Sequence, residues 1–320
     1  MKVLGFDIGG TKCACVLAEF DKEDISFLYR KEVKTLPEPQ TTLQSLISEA
    51  MIWIEKEQID VNTLKTGISC GGPLDEDSGL IINPPNLRGW ENFPICDFIQ
   101  DKISLKIKPK LKNDANACCL AEWRFGAGVG CHNMIFLTFG TGLGAGLLLN
   151  GNIYNGTTGT AGEVGHIRMS ETGPYAYGKY GSMEGFCSGA GIRNLAIEIG
   201  KQQIASGKGV SYAKDEKELN EITTQKLAQL AEEGDEDAKM IFRISGEYFG
   251  KGLAILVDII NPQVIVAGGV YARCHKFIDD SMWEHLKREA LPMAIAKCKV
   301  VPSKLGEKIG DYGAVISALY

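Results

Sequence analysis

No run of apolar residues in this chain approaches the roughly 20 that a helix needs to cross a bilayer. The N-terminus has no basic n-region followed by an apolar h-region, and passes directly into a strand pattern. Positive charge is the scarcer sign: 34 Lys and Arg stand against 40 Asp and Glu, giving a net charge of −6. Such a balance offers no broad surface for nucleic acid or for an anionic membrane. The ten cysteines include no C-x-x-C pair and no spacing typical of a disulfide framework. No low-complexity tail or linker is visible. Together these absences predict a cytoplasmic protein with reduced, buried thiols.

What the chain has instead is glycine, placed after apolar runs. Three such turns stand out: Val3–Ile8 followed by Gly9-Gly10-Thr11-Lys12, Met134–Phe139 followed by Gly140-Thr141-Gly142, and Val264–Ala267 followed by Gly268-Gly269. A strand ending in Gly-Gly or Gly-Thr-Gly presents successive backbone N–H groups with no side chain in the way. It can hold phosphate oxygens without a basic residue. Three turns of this kind predict a nucleotide polyphosphate gripped from several sides.

With 320 residues the chain is long for one core, and two lobes are expected. Residues 2–8, 12–19 and 25–33 read as strands, 41–58 as a one-faced helix, and 64–70 and 107–111 as further strands. Asn113-Asp114-Ala115-Asn116 caps a helix running to about 125. The strand–turn–strand opening then recurs over 134–149, which fits an internal duplication into two similar lobes facing across a cleft. Residues 151–189 form a long irregular segment, helical spacing returns over 222–232, 236–260 and about 275–290, and a closing helix starts near Asp311. Alternating strands and helices predict an α/β fold with a mixed sheet in each lobe. The expected lobes are 1–113 with about 305–320, and 114–304.

The chemistry follows from charge. Asp7 lies just before the first glycine turn, and a carboxylate facing phosphates needs a cation between them. Mg²⁺ held by Asp7, directly or through water, is the simplest resolution. Asp114, at a helix N-terminus whose dipole favours an ionised carboxylate, can accept the proton of a substrate hydroxyl attacking phosphorus. Glu163, His166 and Glu184 lie in or beside the irregular segment. With Asn86 and Asn113 they supply the donors and acceptors that a polyhydroxyl compound requires.

These motifs resemble the ROK family of sugar kinases and repressors, within the actin-like ATPase (ribonuclease H-like) superfamily. The resemblance covers nearly the whole chain. It rests on Phe6-Asp7-Ile8-Gly9-Gly10-Thr11-Lys12, Gly71-Gly72-Pro73, Asn113-Asp114-Ala115-Asn116, Thr138-Phe139-Gly140-Thr141-Gly142, Gly162-Glu163-Val164-Gly165-His166 and Ala267-Gly268-Gly269. It implies that Asp114 is the general base and that Gly72, Asn86, Asn113, Asp114, Glu163, His166 and Glu184 contact the sugar. Gly9, Gly10, Thr11, Lys12, Thr141 and Gly142 would cradle the phosphates of ATP, Gly268 and Gly269 would lie against the adenosine, and Asp7 matches the magnesium position. The implied reaction is ATP-dependent phosphorylation of a hexose, glucose first, with N-acetylmannosamine and N-acetylglucosamine as alternatives and a homodimer as the common assembly. A sugar-sensing repressor is the alternative of another class, and the acidic charge and the position of the first turn, at residue 9, speak against it.

The chain departs from the family at one place. Where many members carry zinc-binding cysteines, this sequence has Tyr175, Tyr177 and Ser182, with Glu184 kept. Phenol and hydroxyl are poor zinc ligands at neutral pH, so no zinc site is expected, and packing of the tyrosines is expected to hold the loop. Elemental analysis of chelator-treated protein is expected to find no stoichiometric zinc; one zinc per chain would refute this.

Overall fold

The computed structural model describes residues 1–21 and 24–320. Two compact units emerge. The first comprises Met1–Gly130, Gly146–Ala161 and Lys304–Tyr320, and the second Cys131–Ala145 and Gly162–Ser303.

The first unit opens with strands β1 (Lys2–Ile8), β2 (Lys12–Phe20) and β3 (Ile25–Lys34), then helix α1 (Pro39–Lys56) and strand β4 (Lys65–Cys70). A small hairpin of β5 (Leu74–Asp75) and β6 (Leu80–Ile81) follows, then α2 (Ile95–Ile103), β7 (Lys110–Asn113) and α3 (Asp114–Phe125). The sheet order is β3-β2-β1-β4-β7. β1 and β2 pair antiparallel, whereas β1–β4 and β4–β7 are parallel. The central strands β1 and β2 are almost wholly buried, and they read as continuous apolar runs for that reason. β3 alternates buried or half-buried with exposed residues, as an edge strand covered on one face does. The strand expected at 107–111 starts three residues later, after Pro109, which cannot donate to a ladder.

The second unit begins with β8 (Met134–Phe139). The chain passes from this unit into the first within β9 (Leu143–Leu149) and turns at β10 (Asn152–Ile153). Next come the hairpin β11 (Tyr175–Ala176) and β12 (Lys179–Tyr180), then α4 (Met183–Cys187), α5 (Gly189–Ala205), α6 (Glu216–Glu221), α7 (Thr224–Glu232) and α8 (Glu236–Ile260). β13 (Val264–Ala267), α9 (Gly269–Glu289), α10 (Pro292–Ile295), β14 (Lys299–Pro302) and α11 (Ile309–Ser317) complete the chain. The second sheet has the order β10-β9-β8-β13-β14, with β8, β13 and β14 parallel. In both sheets the opening strand sits centrally, with the next strand on one side and parallel strands on the other, as the repeated motif predicts. α9 begins at Gly269, six residues before the expected start, and α5 starts at Gly189, beyond which the chain reads as helical although the spacing sets no bounds for this helix.

α11 packs on the first sheet rather than beside its sequence neighbours. A side chain at Gly5 would lie 3.0 Å from the Val315 nitrogen, and one at Gly67 would overlap the carbonyl oxygen of Ala314. Val3, Val16, Ala18 and Ile25 form one core cluster with Val315 and Ala318. α3 packs against α11 in turn, which is why residues 114–130 join the first unit and its packing boundary falls later than Asn113. All ten cysteines are thiols, nine of them buried. Among the described residues no helix is long and apolar enough to cross a membrane. Gly67→Ala is expected to lift α11 from the sheet and to lower stability by about 3 kcal/mol, read as an earlier midpoint in urea unfolding; an unchanged midpoint would show that the helix can yield.

Candidate functional site

In the first unit the Gly9–Lys12 turn joins β1 to β2. Its carbonyls are occupied: the Gly9 oxygen accepts from the Thr35 hydroxyl at 2.6 Å, and the Thr11 oxygen accepts from the Thr35 amide at 3.1 Å. Gly10 is bare because a side chain there would meet the Asn86 oxygen at 2.6 Å. Asn86 is thereby brought against the turn. Lys12, expected to lend charge to phosphates, directs its amino group to Glu32 at 3.0 Å.

At the junction of β7 and α3, Asn113 is the N-cap. Its Oδ1 accepts from the amides of Ala115 at 3.0 Å and Asn116 at 3.4 Å. That leaves Nδ2 as its outward group, which a side chain at Gly72 would meet at 3.3 Å. Asn113 can therefore only donate to a ligand beside Gly72. The junction is held from behind by residues that sequence reading did not single out. Glu76 Oε1 accepts from the Asn113 amide at 3.0 Å, and its Oε2 accepts from Asn155 Nδ2 at 3.1 Å. Asn155 Oδ1 accepts in turn from the buried Asn116 at 2.9 Å.

Asp114 follows the cap and is half-buried, and its Oδ1 accepts from the Ala115 amide at 2.8 Å. Burial raises its pKa above the usual carboxylate range, against the lowering effect of the backbone amides. The dipole argument alone thus understates the cost of desolvation here. Asp7, at the end of β1, is pushed up to about 7 by burial first, then by the carboxylates of Asp311 and Asp114, with Arg30 and Lys12 acting the other way. Asp311 lies in the first turn of α11 and pairs with Arg30 at 2.8 Å. Gly310, beside it, would clash with the Asp7 carboxylate if it carried a side chain. Excess carboxylate with oxygen donors alone suits Mg²⁺. Among the described residues no three acidic, His or Cys groups converge into a ready-made metal cage. The cation would be held by Asp7 together with water and phosphate oxygens.

In the second unit the Gly140–Gly142 turn is docked on the N-terminus of α5. The amides of Gly189 and Ala190 donate to the Gly140 and Thr141 oxygens at 2.7 and 3.4 Å. Gly269, in the left-handed region at φ 55°, lies tightly against the Phe139 carbonyl. Two of the three glycine turns therefore meet. Beside them is a cavity of about 740 Å³ whose walls include Thr141, Arg193, Thr224, Val270 and Arg273. Arg193 is fixed by bonds to the carbonyls of Ile222 and Asn220 at 2.9 and 2.7 Å. Arg193, Thr224 and Arg273 were not foreseen, since no motif marks them.

Glu163 caps and His166 ends a single 3-10 turn, and the His166 amide donates to the Glu163 oxygen at 3.1 Å. Glu184 sits on α4. Its Oε2 accepts from the Leu143 amide at 2.9 Å, and a side chain at Gly142 would meet that oxygen at 2.8 Å. The carboxylate thus touches the phosphate-type turn and leaves its other oxygen for a ligand. The three positions where zinc cysteines were sought do other work. Tyr175 pairs with Tyr180 across the hairpin at 5.0 Å, Tyr177 sets its ring against His166 at 4.3 Å, and Ser182 caps α4 by accepting from Gly185 at 3.1 Å. Tyrosine rings and a hydroxyl committed to a helix cap do not make a thiolate donor set, so the residues present do not fit zinc.

The raised pKa of Asp7 has a consequence for stability. A carboxyl whose folded pKa exceeds its unfolded value binds its proton more tightly when folded, so it favours folding at low pH. That contribution is lost as pH rises from about 4, the unfolded value, towards about 7. In Asp7→Asn, thermal stability without added metal is expected to fall less between these limits than in the parent chain. An equal fall in both would remove Asp7 as the cause.

Comparison with known proteins points to one family. The model of the ROK family matches residues 3–319. The glucokinase of Halalkalibacterium halodurans is 32% identical over 251 residues, covering 77% of this chain and 74% of that protein. The glucokinase of Thermotoga maritima is 28% identical over 316 residues, covering 98% and 96%. The xylose repressor of Caldicellulosiruptor bescii is 27% identical over 98% of this chain but only 77% of its own length. Among solved structures, the ROK hexokinase of Thermus thermophilus superposes with a TM-score of 0.78 at 28% identity, covering 100% of this chain and 98% of that one. A ROK family glucokinase of Streptomyces griseus in complex with glucose and AMPPNP gives 0.75 at 26%, covering 99% and 98%. The two mixed sheets with their glycine turns are those of the actin-like ATPase fold, and the chain belongs to the ROK family.

Proposed function

We propose that this protein is a sugar kinase that transfers the γ-phosphoryl group of ATP to the primary hydroxyl of a hexose, with glucose as the first substrate to test. The observation that carries the reading is the β7–α3 junction. There a half-buried Asp114 with a raised pKa follows an asparagine whose only outward group is a donor. A carboxylate of raised basicity is a better acceptor for a hydroxyl proton than an ordinary surface aspartate. Relatives named glucokinase, and a related structure holding glucose and AMPPNP, support the same chemistry.

In this reading Gly72, Asn86, Asn113, Asp114, Glu163, His166 and Glu184 are the residues that contact the hexose. Asp114 accepts the proton as the sugar oxygen forms its bond to the terminal phosphorus, and the bond to the departing ADP oxygen breaks. The turns at Gly9–Lys12 and Thr141–Gly142 hold phosphates through backbone amides, and the cavity beside Gly268–Gly269 takes the adenosine. Mg²⁺, held by Asp7, would neutralise charge on the triphosphate. N-acetylmannosamine and N-acetylglucosamine are the competing substrates. A sugar-sensing repressor without catalytic activity is the reading of another class, and the xylose repressor of Caldicellulosiruptor bescii, 27% identical over 98% of this chain, is the relative that favours it. A cytoplasmic homodimer is the assembly proposed with this function.

A coupled ADP-release assay across glucose, mannose and the N-acetylhexosamines tests the reading, and absence of turnover with all of them would overturn it. Asp114→Asn is expected to keep sugar binding while turnover falls by about 10²–10⁴-fold. The parent enzyme is expected to lose turnover as pH falls through the raised pKa of Asp114, because only the ionised form accepts the proton.

A further inference from the structure

The hairpin of β11 and β12 carries a residue that its own geometry does not favour. Tyr175 pairs with Tyr180 and Ala176 with Lys179, leaving Tyr177-Gly178 as a two-residue loop. Both loop residues lie in the left-handed region, Tyr177 at φ 52° and Gly178 at φ 82°. Asn, Asp or Gly is preferred at such a first loop position, and an aromatic residue there is uncommon. A strained residue that persists is held by contacts elsewhere. For Tyr177 the contact is the imidazole of His166, edge to face at 4.3 Å and 83°. The phenol lies within the field of Glu163 and Glu184, whose charges add to burial in raising its pKa. The hairpin is fastened at this place: Lys179 Nζ donates to the His166 oxygen at 2.7 Å, and the Met169 amide donates to the Gly181 oxygen at 2.8 Å. Tyr177 as a residue is half open to solvent, at 50% exposure. An aromatic face flanked by two carboxylates and an imidazole matches a pyranose ring, which has C–H groups to stack and hydroxyls to hydrogen-bond.

We propose that Tyr177 is a positioning and specificity residue of the sugar site, fixing the imidazole of His166 with one part of its ring and offering the open part as a wall for the pyranose. The proposal rests on the sugar-kinase reading above. Its cost is the strained turn, so replacement by a residue suited to that turn separates the two roles. Tyr177→Asn removes the ring without adding backbone strain. Thermal stability is expected to hold or rise. The KM for sugar is expected to rise roughly threefold to tenfold, the worth of one aromatic contact, with the KM for ATP unchanged. Tyr177→Phe keeps the ring and is expected to behave as the parent.

An independent readout comes from the imidazoles themselves. The chain has only 4 histidines, so their ring C–H resonances can be followed by NMR and His166 assigned with His166→Gln. In Tyr177→Asn the His166 resonance is expected to move while the other three stay. An unmoved His166 resonance, or a sugar KM within about twofold of the parent, overturns the proposal. If the parent chain phosphorylates no hexose, the kinase reading has failed, and calorimetry then decides about Tyr177. Glucose binding by the parent that weakens in Tyr177→Asn sustains the role, and glucose binding that is absent or unaltered removes it.

Discussion

Carboxylate crowding at the end of β1 is the constraint around which the first unit is arranged. Asp7, Asp114 and Asp311 raise the proton affinity of that corner, and one guanidinium, Arg30, answers them directly. Arg30 is itself shared with Glu32, which also receives Lys12. The chain therefore concentrates negative charge where it also places a turn suited to phosphate. Like charges crowded in one place are relieved by a proton, as the raised pKa of Asp7 shows, or by a cation. The bare Gly310 and the tethered Asp311 let the N-terminus of α11 come up to Asp7, where the positive end of the helix dipole is useful.

The second unit has a different problem, that of ordering a long segment with few regular elements. Its irregular segment is not loose. Ser182 caps α4, Glu184 reaches the Leu143 amide, and the hairpin is pinned to the chain around His166. Each contact is local and directional, and together they order the segment around His166.

Much of the architecture was legible in the sequence because the glycine turns and the apolar runs before them report backbone geometry directly. Asn113 reads as an N-cap and is one. What escaped reading had physical reasons. Helix α5 buries only Ile192 and Leu195 among large apolar residues, with Gly191, Ala196 and Gly200 beside them, so its bounds stayed unset and Arg193 was missed too. The early start of α9 was hidden because Gly268-Gly269 reads as a turn, although the chain continues from it straight into a helix. Glu76 and Asn155 stand 79 residues apart and meet only in the fold, so no local pattern announces the network behind Asp114. The contact of Tyr177 with His166 is of the same kind: it spans a loop whose path is not written in any periodicity.

Because α11 is the last helix of the chain and packs on β1, the first strand, the first unit has a built-in order of completion. During synthesis on a ribosome the faces of Gly5 and Gly67, and the core residues Val3, Val16 and Ile25, have no cover until Val315 and Ala318 emerge. The second unit, whose segments end at Ser303, can be finished first. The residues of β1 thus wait for partners about 300 positions further along the chain. A stop codon placed shortly before Ile309 would spare every catalytic-type motif named above and still leave the central sheet of the first unit without its roof.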